Sequence, residues 1–149
     1  ERWQGFRAAH ADLGRPVRHR PARVGLRQED GVLVADQLLR RRTVPQAAVC
    51  ANDETALGVL MGALGTGARV PDDIVITGFD DVPMAGLVSP ALTTVRQPIR
   101  DLAAETARQL LAAIPGPDST PPQGRVLPTE LVVRRSCGCV TARTSTKDP

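Results

Sequence analysis

The stretch AAVCANDETALGVLMGALGTGARVPDDIVITGFDD, residues 47–81, decides the fold. Residues 47–51 are a short apolar run suited to a buried strand. Asn52-Asp53-Glu54 then opens a helix, because a short polar side chain at a helix start accepts from otherwise unpaired backbone N–H groups. Ala56, Leu57, Leu60, Met61 and Leu64 recur at helical spacing and form an apolar stripe. Gly65 and Gly67 stop the helix. Pro71-Asp72-Asp73 turns the chain into Ile74-Val75-Ile76, a second buried strand. Strand, helix and strand in so short a span make a βαβ unit, which implies a parallel sheet with a right-handed crossover and an α/β fold class.

Outward from this unit the pattern is similar. On the N-terminal side, Trp3, Phe6, Ala9 and Leu13 lie at helical spacing over residues 1–13, and Gly14 follows as a stop. Residues 15–22 are an Arg/Pro-rich loop, and residues 23–26 read as a short strand. Val32, Ala35, Leu38 and Leu39 share one face of a helix over residues 31–42. On the C-terminal side, residues 83–90 read as loop and residues 92–95 as extended, and Pro98 bars a helix before it. Ile99, Leu102, Ala103, Thr106, Leu110 and Ile114 mark an amphipathic helix ended by Pro115. Residues 115–124 are linker-like, residues 130–134 a final strand, and residues 140–149 a disordered tail.

The chain of 149 residues is 42% hydrophobic and 23% charged, ordinary values for a globular protein able to bury a core. Trp3, Phe6 and Phe79 are its only aromatics, so that core rests on Leu, Val, Ile and Ala. The net charge of +3 does not mark a nucleic-acid surface. The arginines are scattered, and the densest run, Arg40-Arg41-Arg42, closes a helix, where cations favour the negative end of its dipole. No apolar run is long enough to span a membrane. Cys50 reads as core. Cys137-Gly138-Cys139 lacks a second ligand pair, and His10 and His19 are distant in sequence, so this reads as a pair of free thiols and no metal or cofactor is expected.

Asn52 ends one strand and Asp80 ends the next. Ligands of open parallel sheets bind in the crevice outside the carboxyl ends of the strands. An amide that donates and accepts, beside a carboxylate that accepts, suits adjacent hydroxyls. Each has a plainer reading: Asn52 or Asp53 as a helix cap, and Asp80-Asp81 as a turn. Catalysis finds little support. There is no Gly-x-Ser-x-Gly, no phosphate-cradling Gly loop and no His beside a nucleophile. Asp80 and Asp81 would point to opposite sides of an extended segment. An enzyme is not expected.

Several motifs together resemble the LacI/GalR family of bacterial transcriptional regulators. They are Arg2-Trp3-Gln4-Gly5-Phe6, Ala51-Asn52-Asp53, Ala56-Leu57-Gly58, and Gly67-Ala68-Arg69-Val70-Pro71-Asp72-Asp73. Thr77-Gly78-Phe79-Asp80-Asp81 and Pro90-Ala91-Leu92-Thr93-Thr94-Val95-Arg96-Gln97-Pro98 follow, then residues 130–139, ending in Ser136-Cys137-Gly138-Cys139. The resemblance runs through residues 1–139 in the family's order. It implies the type I periplasmic-binding-protein-like fold, a two-lobed parallel-sheet sandwich, of which this chain is mostly the C-terminal lobe. By motif position, Arg2, Asn52 and Asp80 match residues that hold the effector, and Gln97 lies at a crossover between lobes. Leu26 falls where many members place a stacking aromatic.

The resemblance further implies that residues 1–92 belong to the C-terminal lobe. Residues 93–124 form a crossover and helix of the N-terminal lobe, and residues 125–139 return. The helix-turn-helix and most of the N-terminal lobe lie outside the chain, so the apolar face of the 99–114 helix is expected to be uncovered, and the isolated piece to self-associate or to be part of something longer. The implied partners are a sugar or nucleoside-like effector, operator DNA through an N-terminal helix-turn-helix, and a second copy in a homodimer, in the cytoplasm. The alternative is a periplasmic sugar-binding protein of the same fold, which upstream coding sequence would distinguish by a signal peptide.

Overall fold

A computed structural model describes residues 2–15, 17, 21–41, 43–115 and 121–139. The expected tail (140–149), Arg42 of the arginine run and His19 lie outside the described residues. The elements are α1 (Arg2–Asp12), α2 (Gln28–Leu39), β1 (Ala47–Val49), α3 (Asp53–Gly65), β2 (Val75–Thr77), α4 (Pro83–Leu87), β3 (Thr94–Arg96), α5 (Ile99–Ala112) and β4 (Glu130–Val132).

The expected βαβ unit is present. β1 and β2 pair in parallel, with Ala47 opposite Val75 and Val49 opposite Thr77. On the other side of β2, parallel bridges join Thr77 to Thr93 and Asp80 to Arg96, so the chain entering β3 extends the sheet. At the edge, β3 pairs antiparallel with β4, Thr94 opposite Val132.

The core is aliphatic, as the scarcity of aromatics requires. Ala56, Leu57, Val59, Leu60 and Ala63 of α3 pack with Val34 and Ala35 of α2, with Ile74 and Ile76 beneath, and with Ala85 and Leu92. Helix α3 is buried nearly all round at its start, since it lies against both α2 and the sheet. Only the outer side of its expected stripe departs, with Met61 and Leu64 exposed. The two helices approach backbone to backbone. A Cβ on Gly58 would collide with the Gln28 carbonyl, and one on Gly31 with the Thr55 carbonyl.

Three expectations are corrected. Residues 23–26 form no strand: the Gly25 and Leu26 carbonyls accept instead from Thr55 Oγ1 and Asn52 Nδ2, so this exposed segment serves the start of α3. Helix α2 begins at Gln28 rather than at residue 31, because the Asp30 carboxylate accepts from the Arg27 N–H at 3.1 Å and fixes an earlier start. Residues 83–90 contain α4, which Pro83 opens from a first-turn position where its missing N–H costs nothing. Helix α5 buries no residue: Ile99, Leu110 and Leu111 are exposed, as is Ile114 just beyond its end. No described helix is long and apolar enough to cross a membrane.

Candidate functional site

Asn52 and Asp80 each lie three residues beyond the paired Val49 and Thr77, so parallel register alone carries both to the same edge of the sheet. The backbone between them is tied. Cys50 N–H donates to the Thr77 carbonyl, and Asp53 N–H to the Phe79 carbonyl at 2.8 Å.

Asn52 does cap α3. Its Oδ1 accepts from Thr55 N–H at 3.0 Å, and its Nδ2 donates to the Leu26 carbonyl at 2.9 Å. The cap does not exhaust the side chain, since an amide has two N–H bonds and an oxygen with two lone pairs. One of each remains. Both readings of Asn52 are therefore compatible, and its contact to Leu26 brings the 23–26 segment to the same edge. The Leu26 side chain is exposed.

Asp80 has φ +125° and Asp81 φ +59°, so neither residue is extended, and the expected opposed directions do not arise from strand alternation. Such a pair of left-handed non-glycine residues is strained and persists only when its surroundings fix it. Those surroundings are explicit. Asp80 N–H donates to the Val95 carbonyl at 2.9 Å, and Gln97 Nε2 donates to Asp80 Oδ1 at 2.6 Å. Asp81 is turned away, its carboxylate accepting from Arg134 and from Arg96, each at 2.6 Å. Burial pushes the Asp81 carboxyl up, but the hydrogen bonds and charges of Arg134 and Arg96 outweigh it and hold the group below the usual carboxylate value.

Arg2, on the first turn of α1, reaches the same edge. Its guanidinium donates to the Ala51 carbonyl and stacks over the Phe79 ring, 3.9 Å from the centroid. Arg2, Asn52, Asp80 and Gln97 thus surround one strand edge, with Leu26 attached through its carbonyl. The donors Arg2, Asn52 and Gln97 and the acceptors Asn52 and Asp80 can together bind a polyhydroxylated molecule in both hydrogen-bonding senses. Nothing in the cluster resembles a nucleophile with its base. Among the described residues no group of three His, Cys, Asp or Glu side chains is placed to hold a metal ion.

Sequence reasoning missed the residues that hold this edge rigid. Asp53 is fully buried, accepting from Thr94 Oγ1 at 2.6 Å and from Val82 N–H at 2.9 Å, so it clamps α3 to β3 and to the turn after Asp81. Ser136, also fully buried, donates to the Ile76 carbonyl at 2.6 Å and accepts from Thr93 N–H at 2.9 Å. These pairs span 41 and 60 positions of sequence, for which local patterning carries no signal.

Residues 1–137 match the family model described as "Periplasmic binding protein-like domain". The chain is 32% identical over 137 residues to the probable HTH-type transcriptional repressor ExuR of Bacillus subtilis, covering 91% of this chain and 41% of that protein. It is 34% identical to a probable opine utilization operon repressor of Rhizobium rhizogenes, covering 91% of this chain and 69% of that one. Among solved structures, a LacI-type transcription regulator from Bifidobacterium animalis superposes with a TM-score of 0.82 at 33% identity, over 91% of this chain and 49% of the other. A LacI family regulator from Enterococcus faecium with bound ribose gives 0.81 at 28% identity, over 91% and 50%. A complex of the regulator CelR with cellobiose gives 0.81 at 33%, over 91% and 42%. The chain thus spans about two fifths of the Bacillus repressor and about half of most of these solved chains. By family model, relatives and fold alike, the chain belongs to the periplasmic-binding-protein-like effector domains of the LacI/GalR family.

Proposed function

We propose that this chain supplies one wall of the effector site of a LacI-type transcriptional regulator, and that the effector is a small polyhydroxylated molecule, a sugar before a nucleoside. The observation that carries the reading is the convergence of Arg2, Asn52, Asp80 and Gln97 at the carboxyl edge of the parallel strands. Bound ribose and cellobiose in two structural neighbours favour a sugar. In this reading Asp80 accepts from a hydroxyl with its second oxygen, Asn52 contributes its unused N–H and lone pair, and Arg2 donates from above. Leu26 gives an apolar rim without ring stacking. Gln97, already bonded to Asp80, orients that carboxylate and stands where the chain leaves for α5.

Residues 93–124 belong in this reading to the other lobe's crossover and helix, and residues 125–139 return. The uncovered apolar residues Ile99, Leu110 and Leu111 of α5, and Ile114 just after it, support that division. An effector held between lobes stabilises one relative orientation and, by its differential affinity, shifts operator binding at a helix-turn-helix. The protein is a cytoplasmic homodimer without catalytic activity. Exposed Met61 and Leu64 of α3, with Met84 and Leu87 of α4, offer apolar surface to a second copy.

Thermal-shift screening of the full-length protein against sugars and nucleosides tests the reading, since a ligand that binds only the folded state raises the melting temperature. A sugar that raises it, with the effect lost in Asp80→Ala, is the expected outcome. A shift that survives both Asp80→Ala and Asn52→Ala would overturn the site.

A further inference from the structure

The Cys137-Gly138-Cys139 turn takes no part in the strand-edge cluster. Gly138 adopts φ +66° and donates its N–H to the Arg135 carbonyl at 3.2 Å, which folds the chain back sharply. Residues with a side chain avoid that conformation. A Cβ there would also press on the Pro71 ring at 3.3 Å, so the turn both needs glycine and is seated against a neighbour. The consequence is that both cysteines lie on one tight turn, each sulfur close to the other residue's backbone. Cys139 N–H donates to Cys137 Sγ at 3.2 Å, and the Cys139 thiol turns back toward the Cys137 carbonyl, 3.9 Å away. Cys137 is half-buried and Cys139 exposed.

The pair is chemically unequal. Burial raises the Cys137 thiol, but hydrogen bonds from the Cys139 thiol, the Thr93 hydroxyl and the Cys139 backbone outweigh it and bring the group below an ordinary cysteine. Cys139 is raised, first by its side-chain interaction with Cys137 and then by burial. The remaining cysteine differs from both: burial, then the Asp53 charge, pushes Cys50 up to about 12 and leaves it inert.

We propose that Cys137 and Cys139 are a reversible dithiol site that a hydroperoxide oxidises to an intramolecular disulfide, with Cys137 as the attacking sulfur. The Cys137 thiolate attacks the terminal peroxide oxygen. The O–O bond breaks, the alcohol or water leaves with a proton, and Cys137 becomes a sulfenic acid. The Cys139 sulfur, two residues on along the same turn, then displaces that hydroxyl as water and forms the S–S bond. Two thiols are oxidised by two electrons and one peroxide is reduced, so the balance closes. A disulfide in so small a ring is strained and easily reduced, which makes the step reversible by an ordinary dithiol.

The test is peptide mass spectrometry on the full-length protein treated with hydrogen peroxide. Cleavage after Arg135 and Arg143 releases residues 136–143, which hold both thiols. The expected result is a loss of about 2 Da from that peptide, the two thiol hydrogens, reversed by dithiothreitol, while the Cys50 peptide stays reduced. In Cys139→Ser the sulfenic acid at Cys137 should accumulate and be trapped by a 1,3-diketone, and in Cys137→Ser no such adduct should form at Cys139. Oxidation of Cys50 at an equal rate would overturn the proposal. So would direct passage to sulfinic acid without the disulfide, or crosslinking between copies.

Discussion

Replacing Asp53 with Ala should be among the most damaging single changes in the chain. Its carboxylate is fully buried and accepts from Thr94 Oγ1 at 2.6 Å and from Val82 N–H at 2.9 Å. A hydrogen bond to a charged acceptor contributes about 1.5–3 kcal/mol, and Asp53→Ala removes two and leaves both donors unpaired, so a loss of about 3–5 kcal/mol is expected. At a urea dependence of about 2 kcal/mol per molar, that moves the unfolding midpoint of the full-length protein down by about 2 M. Far-UV circular dichroism reads the transition. Asp72→Ala is the control: its carboxylate is 66% exposed beside Arg69, and the change should stay within about 0.5 kcal/mol. Thr94→Val completes a double-mutant cycle, in which Asp53 and Thr94 should couple by about 1–2 kcal/mol. A loss below about 1 kcal/mol in Asp53→Ala, or additivity with Thr94→Val, would refute the clamp.

Asp81→Asn should cost about 2–3 kcal/mol, less than a fully buried pair because Arg96 is 48% exposed, and should lower the melting temperature at neutral pH. The Asp81 carboxyl is depressed in the folded state, so its contribution is full above the ordinary carboxylate range and fades as pH falls below it. Melting temperature should therefore fall more steeply from about pH 5 to 3 in the parent than in Asp81→Asn; parallel curves would contradict the ion pairs. Gly58→Ala places a methyl against the Gln28 carbonyl and should destabilise by about 1–3 kcal/mol, measured by urea midpoint, because two backbones must separate. Ser136→Ala strands the Thr93 N–H and should cost about 1–3 kcal/mol by the same assay, with β3 and β4 amides losing hydrogen-exchange protection first.

The βαβ unit was legible because three local signals agree there: an apolar run, a capping Asn with a helical stripe, and a second run after Pro71. Asn52 and Asp80 follow from it, since parallel register sends matched positions to the same edge. Arg2 was different. Nothing in its own helix marks it, and only motif resemblance pointed there; the structure accounts for its position by the Ala51 carbonyl and the Phe79 ring. The 23–26 segment misled because its composition suits a strand, whereas Asn52 and Thr55 capture its carbonyls. Asp53, Asp81 and Ser136 were illegible for a shared reason. Each satisfies a partner distant in sequence, and a buried polar residue looks like any turn residue until that partner is known.

The most direct test of the effector site is calorimetric titration of the full-length protein with the sugar found by thermal shift, repeated on Asp80→Ala and Asn52→Ala. Loss of two to four acceptor and donor contacts predicts affinity weakened by about 100-fold or more in Asp80→Ala and about 10-fold or more in Asn52→Ala, with operator binding in the absence of ligand unchanged. Unaltered affinity in both variants would contradict the placement of the effector at this strand edge.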